Sequence, residues 1–231
     1  MDKITTISFD ADGTLWDFDA VMRHALGCTL EELRRLVPAV PDSLSIDTLI
    51  AIRDQVAAEQ ENKGLTHEAI RLEAFKKTLQ FVDNPDDDLA VHLNTLYLKH
   101  RFEDILLFDD VLPTLEALRG HYMMGLLSNG NTYPERCGLE GYFQFVVFAQ
   151  EHGIQKPDPR LFEVAIERAG CAQHQLLHVG DSFQNDVIGA KQAEIKSVWL
   201  NRQGIHNETE HQPNFEISSL KELTKLLENF L

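Results

Sequence analysis

Phe9-Asp10-Ala11-Asp12-Gly13-Thr14-Leu15 sets two carboxylates one residue apart at the end of an apolar run that begins at Ile4. Ile4 to Phe9 alternates apolar and small polar residues and is rich in β-formers, which predicts a strand. Gly13 then frees the chain to turn sharply, and Asp10 falls at the strand's carboxyl end, where open α/β sheets place their ligands. Carboxylates two positions apart on extended backbone point the same way. Adjacent anions repel unless a proton or a cation sits with them, so the pair reads as a split proton affinity or a metal site, with an Asp-rich helix-capping turn as the plain alternative. A calcium loop of the EF-hand kind also begins with alternating Asp. It needs a third ligand at its fifth position and glycine at its sixth, where this chain has Thr14 and Leu15.

Working outward, Trp16 to about Asp104 changes character and reads as helices alone. Asp19 to Leu36 is one amphipathic stretch, ended by Pro38 and Pro41. Ile46 to Lys63 is a second, broken by Gly64; Thr66 offers an N-cap to a third over Ala69 to Val82. The acidic run Asp83-Asn84-Pro85-Asp86-Asp87-Asp88 suits the start of a fourth, Asp87 to Glu103. From Leu106 strands and helices alternate. Helices are expected at Val111–Arg119, Pro134–Leu139, Pro159–Ala169, Asn185–Ala193 and Leu220–Phe230, and strands at Met123–Ser128, Phe145–Ala149, Leu176–Asp181 and Ser197–Asn201. Strands separated by helices imply right-handed crossovers and a parallel sheet. Gly204 to Asn214 is polar and reads as an exposed loop. The fold class is therefore α/β, a Rossmann-like parallel sheet built from residues 1–15 and 105–231, with a helical bundle inserted over residues 16–104.

A chain of 231 residues can bury a substantial core, and 43% hydrophobic with 25% charged residues is the composition of an ordinary soluble protein. Lys and Arg number 21 against 37 Asp and Glu, a net charge of −16, which argues against a nucleic-acid polymer or an anionic membrane as partner. An anionic substrate must then be held locally, and a bound cation is one way to do so. Met1-Asp2-Lys3-Ile4 leads straight into a strand with no signal-like apolar segment, which makes the cytoplasm the expected location. Cys28, Cys137 and Cys171 are widely spaced and odd in number, suggesting buried thiols and neither a disulfide framework nor a zinc knuckle. Asn207-Glu208-Thr209 matches a glycosylation acceptor by chance if no secretory signal accompanies it.

Three later strand ends carry polar groups able to meet Asp10 and Asp12. Ser128-Asn129-Gly130 ends a strand in a hydroxyl and a small-residue turn with exposed amides, which suits phosphate oxygens. Gly125 to Thr132 nearly fits a nucleotide P-loop, but Asn131 stands where the lysine belongs. Lys156 lies in Gln155-Lys156-Pro157-Asp158-Pro159, where two prolines stiffen the loop around the ammonium. Gly180-Asp181-Ser182 adds a third carboxylate at a strand end, completing an all-oxygen set suited to Mg²⁺. Asp186 either stands behind that set or merely opens the next helix. The ten histidines, His174 and His178 among them, form no metal motif and read as surface or satisfied core residues, and Arg23 and His24 as a solvated helix face.

Taken together, Asp10-Ala11-Asp12-Gly13-Thr14, Ser128-Asn129-Gly130, Lys156-Pro157-Asp158-Pro159 and Gly180-Asp181-Ser182 with Asp186 resemble, in order and over the whole chain, the four motifs of the haloacid dehalogenase superfamily, and within it the phosphatases. The resemblance implies that Asp10 is the nucleophile taking the phosphoryl group, and that Asp12 protonates the leaving alcohol and then activates water. It further implies Mg²⁺ held by Asp10, the Asp12 carbonyl and Asp181, and transferring oxygens held by Ser128, the Asn129 amide and Lys156. The insert resembles the family's C1 cap, which closes over the site. Expected substrates are small phosphorylated metabolites such as phosphoglycolate, sugar phosphates or nucleoside monophosphates. A phosphomutase shares both carboxylates. A dehalogenase shares the nucleophile, but a halide leaving group needs neither an acid nor a metal. A phosphonate hydrolase would need a cap lysine, with Lys63, Lys76, Lys77 and Lys99 on offer. A non-catalytic metal- or phosphate-binding module would have no use for Asp10 and Asp12 together with Lys156.

Overall fold

The computed structural model describes residues 3–60 and 66–228. The chain divides into two compact units, one of Met1–Phe18 with Leu106–Leu231 and the other of Asp19–Ile105. The first boundary lies three residues later than the sequence reading. Trp16 is still tied to Asp12 and Leu107 by β-bridges, and Phe108 N donates to the Leu15 carbonyl at 3.0 Å, so this segment belongs to the α/β unit.

The α/β unit carries six strands: β1 (Thr6–Phe9), β2 (Met123–Ser128), β3 (Phe145–Phe148), β4 (Leu176–Gly180), β5 (Lys196–Leu200) and β6 (Phe215–Ile217). They lie in the order β3-β2-β1-β4-β5-β6, all neighbours parallel, as in a doubly wound fold. β1 is central and buried along its whole length. Phe9 is in register with Leu126 of β2 and Val179 of β4, so Asp10, Ser128 and Asp181 emerge on one rim of the sheet. Asp10 N extends the ladder by donating to the Val179 carbonyl at 2.9 Å.

Before β2 comes α5 (Val111–Leu118). α6 (Ala149–His152) and α7 (Pro159–Ala169) follow β3, α8 (Gly189–Gln192) precedes β5, and α9 (Lys221–Leu227) follows β6. Leu161, Phe162 and Ala165 of α7 pack with Leu127, Phe145, Val147, Ala190 and Ile195 in one apolar layer. The sixth strand was not expected. It is a three-residue edge strand of sequence Phe-Glu-Ile, too short for period-two alternation to register, and the polar stretch before it is largely exposed as read. The expected helix Asn185–Ala193 begins instead as a π turn, Phe183–Ile188, before α8. Pro134–Cys137 is a 3₁₀ turn.

The helical unit comprises α1 (Phe18–Leu36), α2 (Ile46–Gln60), α3 (His67–Phe81) and α4 (Asp87–Glu103). α1 buries the stripe Val21, Met22, Ala25, Leu26, Leu30 and Leu33, at helical spacing. Thr66 caps α3 by accepting from Ala69 N, and Asp86 caps α4 by accepting from Leu89 N. The expected extension of the second helix to Lys63, the Gly64 break and the end of the last helix at Phe230 lie outside the described residues, as does Lys63 itself. Of the three thiols Cys137 is buried, whereas Cys28 and Cys171 are half-buried.

Candidate active site

Lys156 is the centre of the constellation. It is fully buried, and its Nζ donates to Asp10 Oδ1 and to Asp186 Oδ1, both at 2.6 Å. The loop that carries it is fastened from the β2 end: Lys156 N donates to Asn129 Oδ1 at 2.8 Å and Asn129 Nδ2 donates to the Lys156 carbonyl at 2.9 Å. The Asn129 side chain is thus committed to the lysine loop. An ammonium has three donors, so Lys156 keeps one beyond its two carboxylates. Ser128 Oγ accepts from Gly130 N at 2.9 Å, which shapes the turn after β2.

Asp10, Asp181 and Asp186 each bring a carboxylate oxygen within 4.8 Å of the others. Asp186 reaches this cluster because the π turn folds its carboxylate back, with Oδ2 accepting from Ser182 N at 2.9 Å and Oδ1 facing Lys156 and His178 Nε2, the latter at 3.1 Å. Asp181 is held by Thr14, whose hydroxyl donates to Asp181 Oδ1 and accepts from Asp181 N, both at 3.1 Å. Gly13 has φ +86, and a Cβ there would collide with the Asp181 carboxylate, so the turn after the first motif requires glycine on two counts.

Burial raises the Asp10 pKa well above the usual carboxylate range; Asp186 and Asp181 raise it further and Lys156 opposes them. Asp181 is pushed up to about 6 by burial and then by Asp186. Burial would raise Asp186 too, but Lys156 and His178 outweigh it and hold this carboxylate below its usual range. Burial works against the Lys156 charge, yet Asp10 and Asp186 keep its pKa raised. His178, fully buried, is pushed down chiefly by burial and stays neutral near pH 7. Three carboxylates against one ammonium leave two negative charges if all ionise. The set fits a divalent cation: three hard oxygen donors, clustered and charge-deficient by the amount such an ion supplies.

Asp12 lies in different surroundings. Its Oδ1 accepts from the buried Trp16 Nε1 at 2.8 Å, and a Cβ added to Gly130 would fall 2.5 Å from its Oδ2. The acidic neighbours that raise Asp10 are Asp186 and Asp181, brought in from other elements, where sequence spacing alone pointed to Asp12.

The fold brings Asp10, Ser128, Asn129, Lys156, Asp181 and Asp186 to one rim of the sheet, with Asp12 beside Gly130. Of the two readings open for Asp186, burial among these groups favours the one that puts it behind the site. His178 is a correction in emphasis: it is a satisfied core residue, as read, but its partner belongs to the site. Ser8 and His178 are in register across β1 and β4, and Ser8 Oγ lies 2.9 Å from His178 Nδ1. The signal was available, because each is a polar residue interrupting a strand with buried apolar neighbours, and such groups need partners. Trp16 and Arg202 were also missed. Arg202 donates to both Asp110 oxygens at 2.8 and 2.9 Å and to the Thr14 carbonyl at 3.0 Å, a role no local pattern announces.

Comparison with known proteins gives the family. Residues 4–194 match the model of the haloacid dehalogenase-like hydrolases. The chain is 30% identical over 99% of its length to the mouse N-acylneuraminate-9-phosphatase, covering 96% of that protein. It is 25% identical to the pyrimidine 5'-nucleotidase YjjG of Escherichia coli K12, over 96% of both chains. Among solved structures, one described as a 2-haloacid dehalogenase from Pseudomonas syringae pv. Tomato DC3000 superposes with a TM-score of 0.83 at 31% identity, over 99% of this chain and 100% of the other. With its four motifs gathered on one sheet rim and the match spanning most of its length, the chain belongs to the haloacid dehalogenase-like hydrolase family.

Proposed function

We propose that the protein is a Mg²⁺-dependent phosphatase of small phosphate monoesters that works through an aspartyl-phosphate on Asp10. The observation that carries the reading is the contrast between its two motif carboxylates. Asp10 accepts from the Lys156 ammonium within a cluster of three carboxylates, whereas Asp12 accepts from the Trp16 indole. Carboxylates in unlike surroundings divide into nucleophile and acid.

Lys156 occupies Asp10 Oδ1, so Oδ2 is the oxygen that attacks phosphorus as the bond to the leaving alcohol breaks. Asp12 gives that alcohol its proton, then takes one from the water that attacks phosphorus and releases Asp10 and inorganic phosphate. Proton transfer by a placed acid is worth about 10²–10⁴ in rate. Ser128, the Asn129 amide and the remaining Lys156 donor hold the transferring oxygens, where charge must be stabilised. Asp10, the Asp12 carbonyl and Asp181 would hold Mg²⁺, which when bound offsets the repulsion between nucleophile and phosphate dianion. Asp186, already engaged by Lys156, His178 and Ser182, orients the lysine.

The relatives' names support nucleoside monophosphates or sugar phosphates as the substrate class, and the helical unit is proposed as the cap that selects among them. The dehalogenase neighbour raises a second reading. Displacing a halide needs no proton donor and no cation, so Asp12 and the acidic trio favour the phosphatase. The test is phosphate release from a panel of small esters with Mg²⁺ and with chelator, beside halide release from 2-haloacids. Mg²⁺-dependent phosphate release that disappears in Asp10→Asn is expected. Halide release that persists in chelator would transfer the protein to the dehalogenases, and phosphoryl transfer to a second sugar hydroxyl without free phosphate would make it a mutase.

A further inference from the structure

We propose that His24, Cys28, His100 and Asp104, all in the helical unit, form a second metal site, for Zn²⁺, that ties α1 to the end of α4. α1 presents His24 and Cys28 one turn apart. His100, in the last turn of α4, is followed four residues later by Asp104, the residue that ends that helix. Residues four apart share a helix face, so two such pairs make a four-donor patch. The pairs meet. Asp104 Oδ2 lies 2.9 Å from His24 Nε2 and 2.7 Å from His100 Nδ1, the two rings stand edge to face with centroids 5.8 Å apart, and Cys28 Sγ is 3.8 Å from His24 Nε2. Ligand atoms of His24, Cys28 and His100 all lie within 4.8 Å of one another.

A tetrahedral zinc site with bonds of about 2.0–2.3 Å has ligand–ligand edges of roughly 3.3–3.8 Å. His24, Cys28 and His100 already cluster, and Asp104, seated against both imidazoles, is the fourth donor that must turn to join them. Asp104 alone explains the histidines as hydrogen-bond partners. It does not explain a thiol turned towards the same imidazole nitrogen. Two imidazoles, a thiolate and a carboxylate make a borderline donor set that prefers zinc to magnesium, opposite to the all-oxygen cluster around Asp10. His24 is about half exposed, which leaves the ion a path in, and the protein's net negative charge attracts it. Since α1 and α4 are the first and last helices of the unit, a bound ion would cross-link the segments by which the chain enters and leaves it.

The experiment is Co²⁺ titration of the full-length protein in excess Mg²⁺, which saturates the oxygen site, followed by optical absorption. Expected are a single equivalent of Co²⁺ with tetrahedral visible bands and a near-ultraviolet thiolate-to-cobalt band. That band should vanish in Cys28→Ser, and affinity should fall about tenfold or more in His100→Gln. A Zn²⁺-induced rise in melting temperature should appear in the wild type and be absent from Cys28→Ser, with circular dichroism checking the fold of each variant. A wild-type protein without the thiolate band, a band that survives Cys28→Ser, or an equal melting shift in that variant would overturn the proposal.

Discussion

Trp16 has no hydrogen-bond acceptor of its own on the indole, so its N–H can only donate to Asp12 Oδ1, and any proton Asp12 carries resides on Oδ2. That oxygen faces Gly130, where even a methyl group would approach to 2.5 Å. Gly130→Ala is therefore expected to displace the proposed acid and lower kcat by about 10²–10⁴ with little change in KM, as Asp12→Asn should. Steady-state kinetics of both variants check this, and an unchanged kcat in Asp12→Asn would remove Asp12 from the mechanism. His178→Phe removes one donor from Asp186 and leaves the Ser8 hydroxyl buried without its partner. It should cost about 1–3 kcal/mol of stability, read from denaturant unfolding. Asp10, Asp12 and Asp181 were legible in the sequence as candidates because each sits in a short motif at or just beyond a predicted strand end. The meeting of Asp181 with Asp10 was legible as well, both standing at strand ends, but the entry of Asp186 into the cluster was not, since it lies inside the next predicted helix and reaches the others only in the folded chain.

At the scale of elements, the site depends on segments joined far from it in sequence. Arg202, just after β5, grips Asp110 at the start of α5 with two hydrogen bonds, lies 4.1 Å over the Phe108 ring and donates to the Thr14 carbonyl, while the Thr14 hydroxyl holds Asp181. Asp110 also accepts from Ser219 Oγ and Leu220 N at the start of α9. Lysine cannot reproduce a bidentate, stacked contact. Arg202→Lys should lose about 1–3 kcal/mol and weaken Mg²⁺ activation several-fold through Thr14, measured by melting and by the Mg²⁺ concentration for half activity. Burial works to raise the Asp110 pKa, but Arg202, Ser219 and the Leu220 amide hold it below the usual carboxylate range. Its contribution is therefore present above an unfolded pKa near 4 and lost as pH falls through the lower folded value. The parallel pairing and most element bounds were legible from the alternation of strand and helix patterns; the strand order was not. Nor was the π turn, because no local pattern separates it from an α-helical start; Asp186 on it meets Lys156, His178 and Ser182 N only in the folded chain.

For the whole molecule, the acidic cluster makes pH and metal act together. Asp181 is raised to about 6 and Asp10 is raised as well, so in metal-free protein these groups favour the protonated native state. Their contribution is full below an unfolded pKa near 4 and declines as pH rises through the folded values, while Mg²⁺ reverses the decline. Melting in chelator should therefore show a smaller pH 5-to-7 loss in Asp181→Asn than in the wild type, and saturating Mg²⁺ should abolish the wild-type difference. Mg²⁺ affinity should in turn drop about tenfold for each pH unit below 6, since at least one proton must leave. Among the described residues no helix is long and apolar enough to cross a membrane. The sequence by itself determined the α/β alternation, the helical insert, the family and the motif residues, because these are carried by short-range patterns and by the order of motifs along the chain. Only the tertiary structure decided that Asp12 faces Gly130, that Ser8 and His178 support Asp186, that Arg202 braces Thr14, and that His24 and Cys28 meet His100 and Asp104. Those relations depend on strand register and helix packing between residues far apart in the chain, and no local periodicity encodes them.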